Sequence, residues 1–98
     1  MTGPRSPYSD PAYSVPFSID RDVGPRRYLL TNRSREPLNG VTLSLLGAGV
    51  MPASAPSMIQ PGESLEVTIS ARDIARSTVL VVRWFRPNGE EYLWRVSF

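Results

Sequence analysis

The chain has 98 residues, 11 basic and nine acidic, for a formal net charge of +2. A single domain of this length buries roughly 60–65% of the surface its unfolded chain exposes, so a two-layer core is feasible without cross-links. Cysteine and histidine are both absent, which excludes disulfides, thiolate metal sites and cysteine nucleophiles, and removes the commonest zinc ligand and the commonest acid–base group near neutral pH.

Residues 1–11 hold Pro4, Pro7 and Pro11 among Gly3, Ser6 and Ser9. Rich in helix breakers and poor in apolar groups, they are expected to form a flexible arm, with one domain at 12–98. Short apolar segments then alternate with turn residues roughly every eight to fifteen positions, the rhythm of an all-β sandwich. The first, Tyr13 to Ile19, contains Pro16, which cannot donate to a ladder; an edge strand or a bulge is expected there. Asp20 to Pro25 reads as a loop and Arg26 to Thr31 as the second strand, with Tyr28 and Leu30 on one face. Asn32 to Glu36 is polar, and Pro37 to Gly40 supplies another turn.

Val41 to Leu46 alternates, with Val41, Leu43 and Leu45 inward and Thr42 and Ser44 outward. The glycine-, alanine- and proline-rich run from Gly47 to Pro56 is expected to cross from one sheet to the other. A short strand follows at Ser57 to Gln60, then a tight turn at Pro61-Gly62. Ser64 to Ser70 alternates again, with Leu65, Val67 and Ile69 inward, and Ala71 to Ser77 has room for one helical turn.

Thr78 to Phe98 reads as one β-hairpin. Arg86-Pro87-Asn88-Gly89 suits a type I turn closing with a glycine bulge. With Pro87, Asn88 and Gly89 as the loop, Arg86 lies opposite Glu90, and the register behind it follows. Trp84 faces Tyr92, Val82 faces Trp94, Leu80 faces Val96 and Thr78 faces Phe98. That side is almost wholly apolar and is assigned to the core. The other side carries Val79, Val81, Arg83, Phe85, Leu93, Arg95 and Ser97, a mixed set.

This order resembles a bacterial immunoglobulin-like sandwich of the CARDB type found in adhesion and accessory modules. The residues that carry the likeness are the Tyr28-to-Asn32 strand ending in asparagine, the Val41-to-Leu45 strand, Pro61-Gly62-Glu63-Ser64 leading into Leu65–Ile69, and the closing hairpin. It spans roughly residues 12–98 and implies about seven antiparallel strands in two sheets. The cysteine pair and tyrosine corner of antibody domains are missing, and the resemblance transfers no functional residue.

Ser-His-Asp, Cys-His and Ser-Lys arrangements are impossible in a chain without histidine, cysteine or lysine. Asp20 with Asp22 and Glu90 with Glu91 are the only tight acidic pairs, too few for a calcium site. No enzyme, cofactor or metal is expected. Asn32-Arg33-Ser34 matches the glycosylation acceptor pattern by chance. All 11 basic residues are arginine, a composition read as codon usage before selection for bidentate contacts. No basic-then-apolar leader or bilayer-length apolar run is visible, so a cytoplasmic protein without a membrane role is expected.

Function is expected in the outer face of the hairpin. Arg83, Phe85, Leu93 and Arg95, flanked by Val79 and Val81, have the composition favoured at protein–protein contacts. They are the candidate partner-binding residues of a non-catalytic interaction or assembly module, by self-association or with another protein. Two bland alternatives stand beside this. Arginine stems would shield the strip, or the arm with Tyr8, Tyr13 and Phe17 would cover it. A small-ligand or carbohydrate site at loop tips near Asp20, Arg33 and Asn88 is the other binding reading. A nucleic-acid partner is not expected, because the charge is slight and the acids are interspersed.

Overall fold

The computed structural model describes residues 13–98. The expected arm at 1–11 lies outside them. Seven strands and one helical turn follow in order: β1 (Phe17–Asp20), β2 (Arg27–Asn32), β3 (Leu38–Gly47), β4 (Ser57–Ile59), β5 (Ser64–Thr68), α1 (Ile74–Ser77), β6 (Thr78–Phe85) and β7 (Glu91–Ser97). They form two antiparallel sheets, β1-β2-β5 and β4-β3-β6-β7. The expected all-β sandwich of seven antiparallel strands in two sheets is therefore what forms. Among the described residues no helix is long and apolar enough to cross a membrane.

The core lies between the sheets. The three-stranded sheet contributes Phe17, Leu30 and Val67, with Ile69 just beyond β5; the other sheet contributes Leu38, Val41, Ile59, Leu80, Val82, Trp84 and Val96. Each aliphatic side chain buried here contributes about 1.5–3 kcal/mol relative to exposure. Trp84, only 2% exposed, is the centre of an aromatic cluster. Phe17 meets it edge-on with centroids 5.1 Å apart, and Tyr92 stacks at 5.9 Å. Both indoles lie on the inner side of the hairpin, since Phe17 also stacks on Trp94 at 6.5 Å.

Three local features differ from the sequence reading. Pro37 to Gly40 is not a turn: β3 starts at Leu38, paired with Ile59, and runs through a bulge between Asn39 and Thr42. Gly40 sits there at φ 54, and a Cβ on it would come within 2.9 Å of the Phe85 ring. The glycine that marks a chain reversal in the sequence serves the bulge instead. Second, the run after β3 does not cross between sheets, because β4 returns beside β3 in the same sheet. The crossing is made at Gln60–Glu63, where Glu63 N–H donates to Gln60 O at 2.9 Å and Gln60 N–H to Glu63 Oε1 at 2.7 Å. Third, Phe98 leaves the ladder after Ser97 and packs on Tyr28, with Arg21 over its ring at 5.4 Å.

Asn32 ties the two sheets together. It ends β2 fully buried, and its Nδ2 donates to Ile59 O of β4 and to Glu36 O, each at 2.9 Å. Its Oδ1 accepts from Ser34 N–H at 2.9 Å and from the Ser34 hydroxyl at 2.7 Å. Its backbone closes the crossing turn, with Asn32 N–H donating to Glu63 O and Gly62 N–H to Asn32 O. Zero exposure also keeps this asparagine from serving as a glycan acceptor in the folded chain. Replacing it leaves a buried carbonyl and N–H unmatched, so Asn32→Ala is expected to cost about 2–4 kcal/mol, read as a lowered urea midpoint at unchanged slope.

The turn from Gly24 to Arg27 closes with Arg27 N–H on Gly24 O at 3.3 Å. Arg26 holds its third position at φ 61, where glycine or asparagine is favoured. Arg26→Asn should therefore raise stability by about 0.5–1 kcal/mol in the same urea titration; an unchanged or lower midpoint would show the turn to be unstrained.

Candidate interaction face

The hairpin turn has the expected geometry. Arg86 N–H donates to Glu90 O at 2.9 Å and Gly89 N–H to Arg86 O at 2.8 Å, with Gly89 in the left-handed region at φ 88. Asn88 locks the loop by accepting from Glu90 N–H and donating to Glu90 Oε1, both at 2.9 Å. The Tyr92 hydroxyl adds a second bond to that carboxylate at 3.1 Å. Donation by Asn88, then by Tyr92, holds the Glu90 carboxyl below its ordinary range. The ladder behind the turn pairs Trp84 with Tyr92, Val82 with Trp94 and Leu80 with Val96.

The Arg86 side chain does not pair with the residue opposite it across the turn. Its Nε donates to Glu36 Oε1 at 2.8 Å instead of meeting Glu90, and its guanidinium lies 4.2 Å over the Tyr13 ring. The bond to Glu36 raises the arginine's pKa further. Tyr13 packs on Tyr92 with the rings tilted and their centroids 4.6 Å apart, and it accepts from Trp84 Nε1–H at 3.3 Å. Burial pushes its phenol up. Tyr13 and Phe17 thus pack on the inner side of the hairpin, so neither covers the outer strip; Tyr8 lies outside the described residues.

The outer face spans three strands. Cross-strand rows run Thr42–Arg83–Leu93, Ser44–Val81–Arg95 and Leu46–Val79–Ser97. A shallow depression of about 420 Å³ opens on it, lined by Ser44, Leu46, Val81, Leu93 and Arg95. Leu93 is 65% exposed and Leu46 45%. Contiguous apolar side chains left open on a sheet mark a contact surface more than an isolated exposed leucine would.

The four residues named from sequence divide into two pairs. Leu93 and Arg95 line the depression. Phe85 and Arg83 lie beside it, with the Arg83 guanidinium 5.2 Å over the Phe85 ring and its Nε paired with Glu91. Phe85 is only half exposed, since its other flank meets Gly40 at the bulge. Shielding by an arginine stem therefore holds for Phe85 and fails for Leu93. Leu46 was missed, although it continues the outward phase of Thr42 and Ser44 as an apolar residue, which was the available signal.

The loop-tip residues do not converge. Arg33 lies at the Phe17 end of β1, bonded to Pro16 O and Ser18 Oγ, whereas Asp20 lies at the opposite end beside Leu29. Asp20 Oδ1 accepts Asp22 N–H at 2.9 Å, a local turn bond. Among the described residues no group of three candidate metal ligands comes together. A second concavity, about 270 Å³, lies at the open side of the sandwich between the Met51–Ala55 loop and β5, walled by Leu43, Met51, Leu65 and Val67.

Comparison with protein-family models, curated proteins and solved structures finds no match to this chain. Its function has to be read from the geometry of the face.

The split within the face has a measurable consequence. Phe85→Asp should cost about 1–2 kcal/mol, because it removes packing on Gly40 and puts a carboxylate beside Glu91. Leu93→Asp should stay within about 0.5 kcal/mol of the parent. Equal urea midpoints for the two variants would contradict this assignment.

Proposed function

We propose that this chain is a non-catalytic interaction or assembly module, an immunoglobulin-like sandwich of the bacterial accessory type, that binds a protein partner through the outer face of β3, β6 and β7. The observation that carries the reading is the open apolar depression formed by Leu46, Val81 and Leu93 with Arg95 at its side. Burying a leucine side chain contributes about 1.5–3 kcal/mol, so a few such residues at the centre of a contact dominate its energy. Arg95 and Arg83 supply planar donors for carboxylates or carbonyls at the rim. The face is nearly flat, which fits a protein surface better than an enclosed small molecule. The loop-tip carbohydrate reading gains nothing from the fold, because Asp20 and Arg33 stand at opposite ends of β1.

Site-specific photocrosslinking tests this directly. A benzophenone amino acid placed at Ser44, inside the depression, should yield a discrete protein adduct in the cells that make the chain. The same group at Glu66, exposed on β5 of the other sheet, should not. Leu93→Asp should remove the Ser44 adduct while leaving the fold intact. Adducts at neither position, or equally at both, would rule the face out.

A further inference from the structure

The outer face is continuous with a free sheet edge. β7 ends the four-stranded sheet, and among the described residues nothing pairs with its far side. The four terminal strands differ in how they are guarded. β1 has four residues directly after Pro16, β4 has three, and β5 has five beside the Met51–Ala55 loop. β7 has seven residues with no proline, glycine or bulge. Long regular edges invite pairing with another strand, and natural sheets ordinarily block them.

The hairpin turn settles which β7 groups face outward. Arg86 bonds Glu90 across the turn, so by antiparallel alternation Tyr92, Trp94 and Val96 direct their N–H and C=O toward β6. Glu91, Leu93, Arg95 and Ser97 direct theirs to the open edge. The Ser97 carbonyl agrees, since it accepts from Arg21 Nη2 at 3.1 Å. Glu91, Leu93 and Arg95 have no such backbone partner among the described residues.

Resting on the proposed interaction role, we infer that the partner at this edge is a second copy of the chain. The β7 strands pair antiparallel about a two-fold axis at Leu93. Only outward-facing residues can exchange ladder bonds, and this register matches them: Leu93 opposite Leu93, Glu91 opposite Arg95 and Arg95 opposite Glu91. About six backbone bonds form. Each Glu91 carboxylate, already beside Arg83 of its own chain, meets Arg95 of the other copy as a second cation, so charge complementarity selects the register. An axis at Trp94 would instead set Leu93 against Arg95 and require the Ser97 carbonyl that Arg21 occupies. On the inner side, Tyr92 falls opposite Trp94, an aromatic cross-strand pair. The two depressions then adjoin across the axis as one apolar trough on an eight-stranded sheet.

The test uses the full chain, whose lack of cysteine allows single-site cross-linking. Sedimentation velocity should show a monomer–dimer equilibrium. Leu93→Cys should oxidise to a covalent dimer, because directly opposed Cα atoms about 5.5 Å apart suit a disulfide. Ser44→Cys, on the face but away from the axis, should cross-link at least about tenfold more slowly. Arg95→Glu and Glu91→Arg should each weaken the dimer by about tenfold at low salt, and mixing the two should restore it as a heterodimer. A chain monomeric at all concentrations overturns the inference. So does a dimer in which Ser44→Cys cross-links as fast as Leu93→Cys, or one indifferent to the charge swaps. None of these results decides the outer-face reading, which stands or falls on the photocrosslink at Ser44.

Discussion

The parity of one hairpin governs this molecule. In a strand, successive side chains point to opposite sides, so a one-residue slip would exchange the core face for the solvent face. The bonds closing Arg86 to Gly89 and Glu90 forbid the slip. They send Trp84, Val82, Leu80 and Val96 into the core, and they leave Val81, Leu93 and Arg95 outside. The same parity directs the backbone groups of Leu93 to the open edge. The core, the open outer face and the groups at the sheet edge thus follow from a three-residue loop.

The second sheet is held by different means. Apolar contact between sheets is non-directional and would tolerate sliding. Asn32 removes that freedom, because its amide must meet carbonyls and donors at set positions on the end of β2, the Ser34–Glu36 loop and β4. At the turn end of the hairpin, Tyr13 and Arg86 do a related job, linking the start of the described chain to Glu36. Directional bonds fix the arrangement, and packed side chains supply most of its stability.

Surface chemistry here reflects position more than residue type. Arg83 and Arg95 are both exposed arginines one row apart on the same face. One lies over Phe85 and pairs with Glu91, completing a local cluster. The other borders an apolar depression and a strand edge. Leu93 is open on both counts, which is why the face and the edge converge on it.

Local signals were sufficient for much of this. Alternation over Val41–Leu46 and Ser64–Ser70, with turns marked by Pro61-Gly62 and Pro87-Asn88-Gly89, specified those strands, the hairpin register and the exposure of Leu93, because period-two patterning and turn chemistry act over a few residues. Other outcomes required distant segments to meet. Gly40 became a bulge only because Phe85 lies against it, and Arg86 chose Glu36 over Glu90 only because β3 follows a loop that brings Glu36 close. The inward packing of Tyr13, the crossing at Gln60–Glu63 and the shared depression that Leu46 and Leu93 line likewise belong to the tertiary structure. Spacing along the chain encodes which way a side chain points from its strand; which strand comes to lie beside it is decided by packing of the whole.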